Sequence, residues 1–407
     1  ALAGKAAGVQ ISKNSSGPGA SAKVSIRGIR SVVSDNQPLY VIDGVPMLNS
    51  TSEQAYSAIG GTANAGNRDG GDGISNLNPE DVESITILKG APAAALYGSQ
   101  AANGVILITT KKGSESGVHK VSFSTSLTVD NAFSLPEMQN RYGVSDDVDS
   151  WGAKAELPDQ DNLKNFFRTG FTSITSISVS HGNEKLQNYF SYANTSGRGI
   201  IDKNQLSKHN LNFRETSSLF NGRLKLDGSV NVMRQVVKNK PVTGGFYMNP
   251  LVGLYRFPRG EDLSYYKDHF EVYDEDRKLN VQNWHTSFED FEQNPYWIVN
   301  RIQSKDTRSR IITSLSARVK VNDWLDIQAR GTMDYANDKL RQKFYASTAP
   351  ALAGVNGRYI EMDYQEVLLY GDVMATAKKK WGDISLDAAM GASINDKIVN
   401  SVRYDSK

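Results

Sequence analysis

From residue 118 onward, apolar side chains recur at every second position in segments of about ten residues, and this period limits the fold more than any other feature. Val121, Phe123, Leu127 and Val129 alternate with serines and threonine. Leu224, Leu226, Gly228, Val230 and Val232 alternate with Lys225, Asp227, Ser229 and Asn231. The pattern returns at Ile311 to Val321, Leu325 to Tyr335 and Ile384 to Ile394, and more weakly at Val367 to Ala377. Shorter or less regular versions lie at Thr172 to Ser180, Leu186 to Asn194 and Leu206 to Glu215. About nine strands follow, each with one apolar and one polar face. No apolar run approaches the roughly eighteen residues of a membrane-crossing helix, but a β-barrel crosses with alternating segments of about nine to eleven residues.

The connections add a second constraint. They run long (130–170), short (181–185), moderate (196–204), short (216–222), very long (238–303), short (322–324), long (346–365) and short (379–383). Outer-membrane barrels have short periplasmic turns and longer extracellular loops, so the first strand is expected to run outward and the last to end outside. Phe220, Trp324 and Trp381 flank the short turns, as an aromatic girdle at headgroup level or as ordinary turn-flanking core rings. A soluble β-sandwich also alternates, but its strands average about five or six residues. An open sheet of about nine strands would leave unpaired edges in lipid, so the chain is expected to be a fragment of a larger closed barrel.

Upstream lies a different kind of unit. Asn76 to Gly113 reads NLNPEDVESITILKGAPAAALYGSQAANGVILITTKKG. Ser84 to Leu88 is a short β-branched strand ended by Gly90 and Pro92, and Ala93 to Tyr97 reads as a helical turn closed by Gly98. Val105 to Thr110 is almost continuously apolar, as in a strand buried on both faces. Val24 to Gly28 and Leu39 to Pro46 add two strand candidates, the second turning at Asp43 and Gly44.

VSIRG, LYVIDGVP, NPEDVESITILKG and AALYGSQAANGVILITTKKG, in that order, resemble the plug domain of TonB-dependent outer-membrane transporters, specifically the SusC/RagA branch of Bacteroidetes. The resemblance covers roughly the first quarter of the chain. It implies a mainly β protein: a transmembrane antiparallel barrel, expected to close at about 22 strands in the full protein with about nine of them here, and an N-terminal α+β plug filling the lumen. Residues 1–113 would be the plug, truncated at its start, and 117–407 the first part of the barrel. It further implies import of oligosaccharides or oligopeptides with energy transduced by TonB, and a SusD-like surface lipoprotein closing the outer mouth. The segment that engages TonB lies upstream of the plug in this family, so no TonB-contact residue is assigned. Two other classes remain open on the residues alone: a ferric-siderophore or cobalamin receptor of the same fold, and a soluble carbohydrate-binding β-protein.

Composition excludes several alternatives. A net charge of +2 with no basic run longer than Lys378 to Lys380 disfavours nucleic acid. The absence of cysteine excludes disulfides and thiolate metal sites. There is no nucleophile elbow, phosphate loop or HExxH motif, so no catalytic residue, cofactor or metal is assigned. His119, His181, His209, His269 and His285 are scattered in sequence. Tyr273 to Arg277 is acidic but lacks calcium-loop spacing, and the neighbours Glu289 and Asp290 carry no geometric information.

Binding remains. The 238–303 connection is rich in rings: Phe246, Tyr247, Tyr255, Phe257, Tyr265, Tyr266, Trp284, Phe288, Tyr296 and Trp297. Aromatic faces stack on sugars or pack on peptide side chains, with Asn249, Arg256 and Asn283 as hydrogen-bonding neighbours. The same rings would equally serve as the loop's own core. From these, Tyr247, Asn249, Tyr255, Arg256, Trp284, Tyr296 and Trp297 are substrate-binding candidates. In the small-residue stretch Asn49 to Gly73, Asn49, Asp69 and Asp72 are further candidates, as a ligand-meeting loop or as linker.

Overall fold

A computed structural model describes residues 7–13, 16–28, 36–49, 69–89, 97–115, 117–145, 150–158, 160–243, 247–286 and 292–406. Ala93 to Leu96 of the expected turn, most of Asn49 to Gly73, Phe246, Phe288, Glu289 and Asp290 lie outside them.

The N-terminal unit is built on four strands, β3 (Leu39–Ile42), β4 (Val45–Pro46), β5 (Val82–Leu88) and β6 (Val105–Thr110), in the order β4-β3-β6-β5. β6 is central, parallel to β3 and antiparallel to β5. Its unbroken apolar sequence follows from that position: Val105 packs with Val41 and Ala101 on one face, and Ile106 and Ile108 pack with Val24, Ile26 and Tyr40 on the other. The hairpin β1 (Val9–Lys13) and β2 (Ala22–Ile26) covers this second face. Before β5, Asn78 accepts a hydrogen bond from the Glu80 backbone N–H and Pro79 takes the first helical position, so NPED forms one tight turn that launches the strand.

Among the described residues beyond this unit, nine strands form one antiparallel sheet. These are β7 (Lys120–Asp130), β8 (Gly170–Gly182), β9 (Leu186–Arg198), β10 (Gln205–Leu219), β11 (Leu224–Lys238), β14 (Ile302–Lys320), β15 (Leu325–Phe344), β16 (Arg358–Trp381) and β17 (Ile384–Asp405). Apart from the inserted hairpin β12 (Glu271–Asp274) and β13 (Leu279–Gln282), each pairs with its neighbour in sequence.

Alternation turns the usual rule inside out. One face carries Leu211, Phe213, Val230, Val232, Leu315 and Met333 to the exterior, while the other buries Asn210, Asn212, Arg214, Arg308, Arg310, Asp334 and Asp338 against the N-terminal unit. A sheet that presents apolar side chains outward and charged ones inward is arranged for lipid outside and a polar lumen inside.

Strands run further than alternation alone suggests. β16 already starts at Arg358, inside the stretch expected as the 346–365 loop, and β17 continues to Asp405. The reason is an inversion of the pattern near the long-loop end. There Leu340, Phe344, Ile360 and Met362 are buried and the alternating Arg341, Lys343, Tyr359 and Glu361 face out. That portion follows the ordinary rule for water, which is expected beyond a bilayer boundary.

The long connections are folded. Leu163 and Phe166 from the first join Leu254, Phe257, Leu263 and Val299 from the second in one core. Val242, Met248 and Ile298 of the second meet Leu352 and Ala353 of the third in another.

Candidate functional site

The charged inner face of the sheet grips the N-terminal unit. β14 and β15 place Arg308 directly opposite Asp338 and Arg310 diagonally across from Asp334, both as bidentate pairs, with N–O distances of 2.6 and 2.6 Å and of 2.8 and 2.5 Å. The guanidinium has donors left after pairing with a carboxylate, and their fork geometry fixes where they point. Arg310 donates to the carbonyls of Leu48 at 2.7 Å and Gly73 at 2.8 Å and to Asn76 Oδ1 at 3.2 Å. Arg308 reaches the carbonyl of Asp72 at 3.3 Å, and Asp334 accepts from the Leu48 backbone N–H at 3.0 Å. Lys208 and Lys240 complete the set, each donating at 2.8 Å to the carbonyls of Ser75 and Asp69.

A second anchor lies at the β3–β4 turn. Arg214 pairs with Asp227 on β11 and extends Nη1 to Asp43 Oδ2 at 3.0 Å and to Thr110 Oγ1 at 2.6 Å. Asp43 also accepts from the Thr110 backbone, which ties the turn to the end of β6. A third contact is Tyr189 donating to Asp81 Oδ1 at 2.9 Å. Burial pushes the Asp81 carboxyl above its ordinary value, against the lowering by hydrogen bonds from Ser191, Tyr189 and Asn78.

The candidates at 49–73 belong to this seam. Asn49 Oδ1 accepts from the backbone of Gly73 and Ile74. Asp69 accepts from Ser21 and Gly71, and Asp72 from Ala22 and Ser75. Their carboxylates are therefore spent on folding the DGGDG segment, whose carbonyls the wall then holds.

The ring candidates are split. Trp297 is 1% exposed and donates to Thr348, joining the second and third long connections. Asn249 caps the helix Pro250–Arg256. Tyr247 packs on the core around Met248, while Tyr296 packs beside Phe166, where burial pushes its hydroxyl up to about 12. Trp284 donates to the buried Glu292 at 3.2 Å, and Arg256 lies 3.5 Å from the other oxygen of the same carboxylate. Tyr255 and Arg256 retain exposed surface. Arg301 forks onto Glu271 at 2.7 and 2.6 Å, and those hydrogen bonds hold the Glu271 carboxyl below its usual range. Tyr273 to Arg277 closes the β12–β13 hairpin, with Asp274 accepting from Asp276 and Arg277. Pairing of β7 with β8 also stacks His119 on His181 at 3.7 Å.

Arg214, Arg308, Arg310 and Lys208 were not singled out by sequence. Their signal is period two: each falls on the polar face of an alternating strand.

The family model of the TonB-dependent receptor plug domain matches residues 1–105. The chain is 34% identical over 243 residues to TonB-dependent receptor SusC of Bacteroides thetaiotaomicron, covering 57% of this chain and 22% of that protein. It is 26% identical over 378 residues to TonB-dependent receptor P3 of Formosa agariphila, covering 88% of this chain and 32% of that protein. Its fold is similar to a chain of the RagAB peptide importer in its closed-closed state, with a TM-score of 0.72 at 21% identity over 99% of this chain and 46% of that one. The chain thus spans about a fifth to a third of these two relatives and under half of that solved chain. Plug and barrel wall together define an outer-membrane protein of the plugged β-barrel class. Within that class, the chain carries the plug domain of the TonB-dependent receptors and is similar to receptors of the SusC/RagA type.

Proposed function

We propose that the full-length protein imports oligosaccharides or oligopeptides into the periplasm, driven through TonB and assisted by a SusD-like surface lipoprotein. Residues 1–113 act as the plug and 117–407 as the first part of the wall. The observation that carries this reading is the chemistry of the seam. Arg308 and Arg310 keep their carboxylate partners within the wall, and almost all of what they give to the plug is hydrogen bonds to carbonyls. Withdrawing the plug therefore leaves Arg308 and Arg310 still paired within the wall, and lumenal water replaces their lost acceptors. A gate of this kind opens reversibly by pulling and needs no covalent step.

Tyr255 and Arg256, with exposed surface on the second long connection, are proposed to meet substrate, and Tyr247, Asn249, Trp284, Tyr296 and Trp297 to hold the surface they stand on. Asn49, Asp69 and Asp72 are proposed to act through the plug's upper segment. The test is uptake of labelled oligosaccharide and oligopeptide panels by cells carrying the full-length receptor, with and without TonB. Uptake that requires TonB and the co-purifying lipoprotein supports the proposal. Uptake confined to ferric chelates under iron limitation would replace it.

A further inference from the structure

A single carboxylate interrupts the lipid-facing side of the wall. On β9, β10, β11, β14 and β15, the outward positions from the periplasmic ends up to Tyr192, Leu211, Val232, Ile311 and Tyr335 are all uncharged except Glu215. Its side chain is exposed and forms no hydrogen bond or ion pair among the described residues. Its direct partners on the neighbouring strands are Asn188 and Gly228, and Phe190, Phe213, Leu226 and Val230 surround it on the same face. A charge on the lipid face of a barrel is costly unless something pairs with it, and ionisable residues at membrane depth mark functional sites.

Beside Glu215 the wall is hollowed. Glu215, Gly228, Leu315 and Gly331 are successive partners across β10, β11, β14 and β15. The two glycines open an apolar groove of about 720 Å³, walled by Phe213, Leu315 and Met333 and ended by Glu215 and Ser217. That volume is in the range of small-ligand sites. The wall's own packing does not impose these glycines. Neither has positive φ, a Cβ at Gly331 would meet no atom within 4 Å, and one at Gly228 would meet only Leu315 Cδ1 at 3.7 Å and the Ser314 carbonyl oxygen at 4.0 Å. Glycine inside a strand gives up packing and often marks a place where a ligand comes close.

Height selects the leaflet. Glu215 lies four residues from Leu219 at the end of β10, and Asn188 two residues from Leu186 at the start of β9. At about 3.3 Å per residue and a tilt near 40°, the two stand about 5 to 10 Å above the short turns, where periplasmic-leaflet headgroups give way to acyl chains.

We infer that this groove binds an aminophospholipid of the periplasmic leaflet. Its ammonium pairs with Glu215, Asn188 and Ser217 donate to its phosphate, and an acyl chain lies over Gly228 and Gly331 against Phe213, Leu315 and Met333. The one charge on this part of the face is negative, so an ammonium gains a charge-assisted hydrogen bond where a purely anionic headgroup meets repulsion. The apolar remainder of the groove requires that the ammonium arrive on a lipid. The inference rests on the outer-membrane placement and is independent of what the receptor imports.

The test uses the full-length receptor in detergent, with phosphatidylethanolamine and phosphatidylglycerol of identical acyl chains as probes and native mass spectrometry as the readout. Retention of phosphatidylethanolamine is expected to exceed that of phosphatidylglycerol about tenfold, the scale of one hydrogen bond to a charged group. E215Q should abolish the preference, and E215D, which keeps the charge, should retain it. G331L fills the groove at a position open to a side chain, and should lower retention of phosphatidylethanolamine while leaving thermal unfolding unchanged. Free ethanolamine at equal concentration should not displace the lipid. Equal retention of both probes, an unchanged preference in E215Q, unchanged retention in G331L, or displacement by ethanolamine would each overturn the proposal. Loss of uptake would bear only on the import reading.

Discussion

Arg310 and Asp334 are joined through two hydrogen bonds across β14 and β15, and the same two side chains close on Leu48 of the plug, one on its carbonyl and one on its amide. Both are almost completely buried. The pair is therefore at once a strut of the wall and a clasp on the plug.

These two roles separate by mutation. Asp334→Ala leaves a buried guanidinium uncompensated and is expected to lower stability by about 3–5 kcal/mol. Replacing both partners with methionine removes the charge problem and should recover most of that loss. It does not restore the contacts to Leu48 and Gly73, so the double variant should unfold near wild type in detergent while its plug is cut faster by protease between residues 36 and 115. Equal protease resistance would show that the clasp is incidental.

The wall was legible because its alternation is a local property: Val230 and Asn231 disclose their faces without knowledge of any partner. The tops of the strands were harder to read. At Arg341, Tyr359 and Glu361 the outward residues become polar while Ile360 and Met362 turn in, so a reader following apolar residues outward loses the strand where it leaves lipid. The clasp was illegible for another reason. Arg310 finds the Leu48 carbonyl across 262 residues of chain, and nothing in the local sequence TRSR announces that partner. Trp297 makes the third case, since a ring that packs a loop core and a ring that binds a glycan look alike in sequence.

The face assignment has its own test at adjacent positions. Val230 points outward at 38% exposure, while Asn231 stands on the inner face. Val230→Arg is expected to cost about 2–4 kcal/mol if it lies near the bilayer midplane, and Asn231→Arg far less, because that side chain meets a polar lumen. Folding equilibria in lipid vesicles would measure both. Similar costs at the two positions would refute the assignment.

Gly73 is a steric test of how closely two segments of the plug approach. A Cβ there would sit 2.2 Å from the Leu48 carbonyl oxygen and 2.8 Å from Asn49 Cα, both backbone atoms of the segment that Arg310 holds. Gly73→Ala must push these segments apart, and a loss of about 1–3 kcal/mol is expected, as in other overpacked sites. The Arg310 contacts to Leu48 and Gly73 should lengthen together. Thermal unfolding, combined with crosslinking between positions 48 and 310, would report both effects. An unchanged melting temperature would mean that the two segments are not rigidly apposed.

Asp81 makes the contact between plug and wall sensitive to pH. It is 4% exposed, accepts from Tyr189 of the wall, and burial raises its carboxyl above the ordinary 3.8. A carboxyl raised on folding binds more protons in the native than in the unfolded state between the ordinary and the raised value. Its contribution is therefore most favourable below about 3.8 and becomes a penalty as pH rises through the raised value. Other carboxylates lose their own stabilisation in acid, so the isolated effect is read from the difference between variants. Asp81→Asn keeps an oxygen for Tyr189 and removes the titration. The variant should gain stability relative to wild type as pH rises from 4 to 7, and the difference should shrink toward the acid end. Melting temperatures across that range, measured in the same detergent for both proteins, would check it. A difference that is flat with pH would show that Asp81 does not titrate there in the folded protein.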